Sequence, residues 1–274
     1  GEKDKQGNDI YETVITKVTG YLLIKDGVRY IDERAFQNCT SLISVTIPDS
    51  VIYLGPRAFY KCTLLETVTI GKGITQIPDY AFYKCEALKN VYTTEKLEAV
   101  GNYAFRGCTA LELFQFNSVK SIGRYSFYGC ASLKEIYIPK TLTSIGDYAF
   151  RGCVSVGSVV IPETVTSIGK HAFYILNETT IYAEPDSISP KWNERFNSSY
   201  RPIFWGCNLS EDGSYVVSVT VSKQLLKNSD AKNGITYPAR AGYSFLGWSA
   251  DSASSEISYT SENIATAPEG TVLY

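Results

Sequence analysis

Nine residues, IGDYAFRGC at positions 145–153, recur along this chain with little change. Three close copies are IPDYAFYKC, which ends at Cys85, VGNYAFRGC, which ends at Cys108, and IGRYSFYGC, which ends at Cys130. A catalytic motif usually occurs once in a domain, whereas a structural unit that stacks on copies of itself must be repeated. The recurrence therefore indicates architecture before it indicates chemistry.

One phenylalanine in each copy defines the period of the repeat. The members of this series are Phe36, Phe59, Phe82, Phe105, Phe127, Phe150 and Phe173. Their successive separations are 23, 23, 23, 22, 23 and 23 residues. A fixed period in this range predicts a solenoid, in which one unit forms one coil and buries its apolar side against the next.

The other apolar residues keep the same phase within each unit. A segment such as Leu42/Val45/Ile47 comes first, and its alternation predicts a strand with one face turned inward. A second inward pair follows, such as Val51 and Leu54, and then a short turn leads to the "AF" pair. A glycine is expected to permit that turn in most units, at Gly55, Gly101, Gly123, Gly146 and Gly169.

These positions resemble the consensus LxxIxIPxxVxxIGxxAFxxCxx of the BspA-type leucine-rich repeat family. The resemblance covers about residues 21–182. It implies a mainly β fold, a right-handed leucine-rich repeat solenoid of about seven coils of 22–23 residues. The first unit is degenerate, one unit is a residue short between Phe105 and Phe127, and the last unit lacks the cysteine.

The pattern changes after the last repeat. The stretch SPKWNERFNSSYRPIFWGC carries Trp192, Phe196, Phe204 and Trp205, which we expect to cap the open end of the solenoid. Further on, PARAGYSFLGW (238–248) is similar to the Listeria–Bacteroides repeat, the B-repeat of internalin-like surface proteins, and implies a small β-grasp-like domain. The predicted divisions are an N-terminal leader and cap (1–20), the solenoid (21–182), an aromatic cap (183–207) and the B-repeat-like domain (208–274).

Six cysteines share one position in the coil. They are Cys39, Cys62, Cys85, Cys108, Cys130 and Cys153. We favour buried, reduced thiols that pack as small apolar groups. A disulfide is an alternative, because the ~4.8 Å spacing of coils falls within the Cα–Cα range that a disulfide permits. A metal site is less favoured because the cysteines are strung along the rod and do not converge.

Composition and motifs give no support to catalysis. The chain has 21 tyrosines but one histidine, His171, which stands where most other units carry tyrosine or arginine. No nucleophile–histidine pair, phosphate-binding loop or metalloprotease motif is present in the sequence. The net charge of −2 favours neither nucleic acid nor an anionic membrane. We predict no enzyme activity, no cofactor and no metal. The sequence has no apolar run long enough to span a bilayer.

The residues that alternate with the inward ones predict a binding surface. Toward the C-terminal half, the exposed column changes from small polar residues to large apolar and aromatic ones. The candidate ligand-binding residues are Tyr92, Leu113, Gln115, Tyr137, Val160 and Tyr182. Exposed patches of this kind mark interaction sites, although cross-strand packing alone would also explain them. A tyrosine row, Tyr80, Tyr103, Tyr125 and Tyr148, is a rival surface, for which stacking within the fold is favoured.

The resemblance implies a secreted or surface-anchored bacterial protein whose signal or anchor has been removed. Its expected role is non-catalytic binding, through adhesion to a protein or glycan on host or neighbouring cells, and we expect a monomer. A passive spacer in a longer surface protein is the alternative, and a glycan-acting enzyme comes third.

Overall fold

The computed structural model describes residues 20–174, 179–185, 187–199, 203–205, 207–208, 218–220 and 272–273. Over these residues the chain consists of short strands and turns, without a helix. It winds into a β-solenoid of about seven coils, as the period predicts. Residues 1–19 of the predicted leader and cap (1–20) lie outside the described residues. So does most of the predicted B-repeat-like domain, including Gly242, Tyr243, Phe245, Gly247 and Trp248.

Each coil contributes a strand to a first parallel ladder, which forms the outer face of the solenoid. These strands are β1 (Gly20–Leu23), β3 (Leu42–Thr46), β5 (Thr67–Thr69), β7 (Asn90–Tyr92), β9 (Leu113–Phe114), β11 (Ile136–Tyr137), β13 (Ser158–Ile161), β15 (Thr180–Ala183) and β16 (Ile203–Trp205). The ladder divides into two sheets, of order β1-β3-β5-β7-β9 and β11-β13-β15-β16.

A second set of two-residue strands forms another parallel ladder on a separate side of each coil. They are β2 (Tyr30–Ile31), β4 (Tyr53–Leu54), β6 (Gln76–Ile77), β8 (Ala99–Val100), β10 (Ser121–Ile122), β12 (Ser144–Ile145) and β14 (Ser167–Ile168). Strands β2 and β4 pair with each other, and β6 to β14 form a five-stranded sheet. The remaining strands, β17 (Cys207–Asn208), β18 (Ser218–Thr220) and β19 (Val272–Leu273), form a small antiparallel sheet.

The interior is one continuous apolar core, with the phenylalanine series at its centre. Every ring of the series is buried. Neighbouring rings stack nearly parallel, with centroids 4.9–5.7 Å apart and planes within 13° of each other. Each such pair adds about 0.5–1.5 kcal/mol beyond the area that it buries. The predicted enclosure of a single interior is confirmed.

The "AF" turn has the same unusual backbone conformation in every coil. The residue before each "AF" pair adopts a left-handed conformation, with φ between 55° and 60°, at Arg34, Arg57, Tyr80, Tyr103, Tyr125, Tyr148 and His171. Side chains other than glycine rarely occupy this region because Cβ approaches the backbone. The N–H of each of these residues donates to a carbonyl of the next coil, as Tyr80 does to Asn102 at 2.9 Å.

The glycines before this turn have a different role from the predicted one. None of Gly55, Gly101, Gly123, Gly146 and Gly169 has a positive φ. A Cβ built on Gly123 would instead lie 2.6 Å from the carbonyl carbon of Gly101 in the preceding coil. These glycines are therefore needed because successive backbones approach closely at this slot.

Pro78 occupies the same slot in the third coil and explains the break between β4 and β6. In other coils, the residue at this slot donates its N–H to the previous coil, as Gly101 does to Ile77 at 2.7 Å. Proline has no N–H, and its ring takes up space where even a Cβ does not fit. The two strands therefore separate, leaving a groove of about 240 Å³ lined by Ile52, Tyr53 and Ile74, among others.

Two aromatic residues of the predicted cap, Trp192 and Phe196, are buried. Trp192 donates its indole N–H to the carbonyl of Val165 at 2.9 Å, and Phe196 packs edge-on against Phe173 with centroids 6.4 Å apart. The N–H of Phe173 donates to the carbonyl of Phe196, so the hydrogen-bond ladder of the coils continues into this segment. The side chains of Phe204 and Trp205 lie outside the described residues.

Candidate binding surface

The outer face brings the six candidate residues to two neighbouring sheets. Tyr137, Val160 and Tyr182 stand directly opposite one another in the ladder of β11, β13 and β15. Leu113 stands opposite Asn90 in the ladder of β7 and β9, two residues from the level of Tyr92. The sequence pattern therefore placed the candidates on one side of the coil.

Five of the six candidate side chains reach solvent. The exposed fractions are 55% for Tyr92, 51% for Leu113 and 70% for Tyr137, which are high for side chains of this size. Gln115 is exposed as well, and Val160 is half-buried. We call these five residues, Tyr92, Leu113, Gln115, Tyr137 and Val160, the outer strip.

Tyr182 was predicted to be exposed, and this prediction is wrong. Its side chain is 3% exposed, and all four residues of β15 are buried. Strand β15 is not at the edge of the sheet, because β16 pairs with it beyond the last repeat. A side chain on the outer face is buried only where further chain covers that face, and the chain departs from the repeat directly after β15. The outer strip therefore ends at Val160.

A discontinuity in the ladder crosses the outer strip between Leu113 and Tyr137. Strands β9 and β11 are not paired, although every other neighbouring pair on this face is. The short unit has its missing residue directly after β9, where Phe114 and Val119 are five residues apart and the matching Ile136 and Leu142 are six apart. Asn117 in this shortened turn has a φ of 28°. The missing residue thus tightens the turn and separates the two sheets.

Sequence reasoning missed two exposed apolar residues at the N-terminal end of the outer face. Tyr21 and Leu23 in β1 stand opposite Ser44 and Thr46 in β3, and both are largely exposed. The N-terminal half was predicted to be uniformly polar because the first unit departs from the repeat. The alternation of Tyr21, Leu22 and Leu23 was the available signal, since Leu22 takes the inward slot opposite Val45.

Charged pairs border the outer strip. Lys134 Nζ contacts Glu112 at 2.6 Å, and Lys89 Nζ contacts Glu66 at 3.7 Å. The hydrogen bond and charge of Lys134 hold the pKa of Glu112 below its usual value. Both pairs are exposed, so each adds little to stability. The opposite charges within each of the two pairs cancel along this border.

The tyrosine row forms a stack, as favoured from the sequence. Rings of Tyr80, Tyr103, Tyr125 and Tyr148 lie 4.6–4.9 Å apart with planes within 12°. Burial and the neighbouring tyrosines raise the pKa of Tyr125. The stack offsets part of the cost of four left-handed backbones, because each ring packs on its neighbours in the next coils.

The cysteine column is packed as free thiols. Five members are fully buried, and Cys39 at the N-terminal end is partly exposed. Each buried thiol donates to the carbonyl of the phenylalanine in the preceding coil, as Cys85 does to Phe59 at 3.1 Å. Burial raises the pKa of the thiols of Cys85, Cys108, Cys130 and Cys153. These cysteines therefore contribute packing and a hydrogen bond between coils.

The described part of the chain contains no group of three or more histidine, cysteine, aspartate or glutamate side chains that could hold a metal ion. It also contains no helix of the length and apolar character needed to cross a membrane.

Comparison with known proteins identifies the repeat. A sequence profile of the BspA type leucine-rich repeat region matches residues 15–131 and 120–222, with six copies. The chain belongs to the BspA-type leucine-rich repeat family. The family accounts for the period, for the phenylalanine and cysteine slots and for the stacked parallel strands. Nothing in the profile comparison supports the B-repeat-like domain, which stays a prediction.

Solved structures of two leucine-rich repeat proteins are similar to this chain. The leucine-rich repeat protein of T. pallidum is 28% identical, with a TM-score of 0.51, over 58% of this chain and 78% of that one. A leucine-rich cell surface protein from Faecalibacterium prausnitzii is 28% identical, with a TM-score of 0.56, over 65% of this chain. The match spans 50% of the Faecalibacterium protein's length. The comparison with curated proteins found no match.

Proposed function

We propose that this chain is a non-catalytic binding protein, secreted or held at a bacterial cell surface, that adheres to a host or matrix protein or to another cell. Family membership supports this proposal, and so does the likeness to a protein described as a cell surface protein. Solenoids of this kind present long, regular surfaces, which suit recognition of other macromolecules.

The observation that carries the proposal is the exposure of Tyr92, Leu113 and Tyr137 on the outer face of the solenoid. Each side chain is more than half exposed, although each could have been a small polar residue like Thr46 in the same ladder. Exposed aromatic and aliphatic residues that lie together on a rigid surface are typical of binding hot spots. The outer strip is also preorganised, because the ladder fixes its backbone before any partner arrives.

The chemistry of the outer strip favours binding over catalysis. Its side chains are tyrosine, leucine, glutamine and valine, which bind through desolvation and neutral hydrogen bonds. None of these groups is a general base at neutral pH. His171 lies on a different side of the coil, where its ring is tilted against that of Tyr148 and its Nδ1 is hydrogen bonded to Ser198.

The experiment compares the double variant Tyr92→Ser/Tyr137→Ser with the unmodified protein on an array of extracellular matrix proteins and host-cell glycans. We expect binding to the recognised array member to fall at least about tenfold, because hot-spot truncations cost ~2 kcal/mol or more. The melting temperature should hold, since both side chains project into solvent. The matched control is Tyr30→Ser/Tyr53→Ser, which removes two exposed tyrosines from the second ladder.

A passive spacer is the second candidate, because the coils stack into one regular solenoid. If the outer-strip variant and the control bind the array equally well, the outer strip is not the adhesive surface. The spacer is favoured if the unmodified protein binds no member of the array. Turnover of an array glycan by the purified protein would contradict the non-catalytic reading.

A further inference from the structure

A second surface of the solenoid concentrates positive charge on an acidic protein. It lies at the "AF" turns of the second to seventh coils, residues 56–61, 79–84, 102–107, 124–129, 147–152 and 170–174, which we call the turn stripe. The turn stripe contains seven basic and two acidic residues, for a formal charge of +5, while the whole chain has a charge of −2. Such an asymmetry creates a local positive potential that the net charge conceals.

Most of these cations have no acidic partner in the described part of the chain. Arg57 lies 3.5 Å from Glu33. Among the residues that the structure describes, no carboxylate lies within 4.0 Å of the charged groups of the other six, Lys61, Lys84, Arg106, Arg124, Arg151 and Lys170. The pattern contrasts with the border of the outer strip, where Lys89 and Lys134 are each paired. The turn stripe therefore retains its charge for an external partner.

Two arginines are held in fixed positions by tyrosine rings. The guanidinium of Arg106 lies 4.9 Å from the ring centre of Tyr128, and that of Arg151 lies 4.8 Å from that of Tyr174. The Nε atom of Arg151 is buried and has no hydrogen-bond partner in the described part of the chain. The two arginines stand two coils apart, about 10 Å at ~4.8 Å per coil. Cation–π contacts restrict their rotamers, which lowers the entropy cost of binding.

The tyrosines between these cations offer edges and hydroxyl groups. Their ring faces are occupied by each other, since Tyr103 stacks on Tyr80 at 4.6 Å and on Tyr125 at 4.9 Å. Proteins that hold single-stranded nucleic acids stack bases on open aromatic faces, and the middle of this stack has none. Hydroxyl groups and guanidinium donors are instead suited to hydroxyl, carboxylate and sulfate groups.

The environment of His171 reports the same potential at the C-terminal end of the turn stripe. Partial burial lowers the pKa of His171, and the positive charges of Lys170, Arg151 and Arg195 lower it further. Asp147 opposes this effect. The direction agrees with a surface on which cations outnumber anions.

We propose that the turn stripe binds a linear anionic glycan along the axis of the solenoid, with Arg106 and Arg151 as its principal anion contacts. Each of the second to seventh coils contributes an unpaired cation to the turn stripe, and a linear polymer likewise carries charged groups at regular intervals. Carboxylate or sulfate groups would accept from the guanidinium groups, and sugar hydroxyls would bond with the tyrosine hydroxyls. This surface is separate from the outer strip, so the two could hold different ligands.

The test measures binding of a heparin oligosaccharide to the full chain at ~0.15 M NaCl, by calorimetry. We expect binding that weakens as salt rises. The double variant Arg106→Gln/Arg151→Gln should weaken it about tenfold through loss of two charge-assisted contacts. The matched control, Lys89→Gln/Lys134→Gln, removes two paired cations beside the outer strip and should leave the affinity unchanged.

A second variant covers the case in which Arg106→Gln/Arg151→Gln fails to fold. Lys61→Gln/Lys84→Gln removes two exposed cations, and we expect it to weaken heparin binding about threefold with an unchanged melting temperature. His171 provides an independent readout, because it is the single histidine in the chain. Bound heparin should raise its pKa in an NMR titration, since a nearby anion favours imidazolium.

Each of the following results would overturn the proposal. They are no heparin binding, equal loss in the Lys89/Lys134 control, and binding of a single-stranded oligothymidylate as tight as that of heparin. Neutral dextran should not bind, and tight binding of dextran would also count against it. Failure of the outer-strip variant to reduce adhesion would bear on the proposed function alone, because that variant leaves the turn stripe intact.

Discussion

The hydroxyl group of Ser126 is a polar group in an apolar slot of the coil. It occupies the slot before the phenylalanine that is alanine in the six other coils, at Ala35, Ala58, Ala81, Ala104, Ala149 and Ala172. Its side chain is fully buried, and its hydroxyl has no hydrogen-bond partner among the described residues. An unsatisfied buried hydroxyl costs about 1–3 kcal/mol, because water would have satisfied it in the unfolded chain.

The variant Ser126→Ala should therefore raise the free energy of unfolding by about 1 kcal/mol. Urea denaturation followed by circular dichroism measures this change. The matched control is Ala149→Ser, which places a hydroxyl in the equivalent slot of the next coil and should lower the free energy of unfolding by a similar amount. A destabilising Ser126→Ala would mean that the hydroxyl has a partner that the structure does not show.

The turn between the second ladder and the "AF" pair is where the elements approach each other most closely. Gly123 lies against the backbone of Gly101 and Asn102, and Asp79 accepts the N–H of Asn102 at 2.7 Å in the preceding coil. The same slot holds Pro78, and there the ladder is broken. The identity of this one residue thus decides whether two successive coils pair along the second ladder.

The variant Gly123→Ala should lower the free energy of unfolding by about 2 kcal/mol, since its Cβ forces two backbones apart. Gly157→Ala is the control, because a Cβ there meets nothing within 4 Å and Gly157 has no positive φ. It should change the free energy of unfolding by less than ~0.5 kcal/mol. Equal effects in urea denaturation would show that the close approach is not what the glycine slot requires.

The sequence predicted the coil almost completely because one unit explains all of them. The inward slots of Leu65, Val68 and Ile70 were readable from alternation alone, and all three are buried. The reason for the glycine slot was misjudged, because a close approach between coils depends on the stacked partner and leaves no local signal. The burial of Tyr182 could not be predicted, since it lies where the repeat meets a non-repeated segment. The exposure of Tyr21 could have been predicted from the alternation in β1, but it was missed because the first unit is degenerate.

Of the two candidate binding surfaces, the sequence predicted the outer strip but not the turn stripe. Parity along the strand placed Tyr92 and Tyr137 outside, and they are outside. The turn stripe escaped notice because its cations occupy different slots in different coils, with Lys84 at one and Arg106 at another. Only stacking brings these slots together in one stripe, and only coordinates show that Arg106 and Arg151 have no carboxylate partner among the described residues.

At the scale of the whole molecule, each coil contacts only its neighbours, and the phenylalanine series joins them. Stability in such an array is the sum of weak single coils and strong interfaces between them. Phe105 stacks on Phe82 and Phe127 and also touches Phe114, with a centroid distance of 5.2 Å. Its removal should therefore weaken two interfaces together.

The most direct test of this account is amide hydrogen exchange of Phe105→Ala, compared with the unmodified chain. A cavity at Phe105 costs about 3–5 kcal/mol. Protection should fall for the amides of Phe82 and Phe127 in the adjoining coils as well, and less toward Phe36 and Phe173, because a shared interior transmits the loss from coil to coil. Loss of protection confined to the fourth coil, with its two neighbours unchanged, would contradict a continuous core.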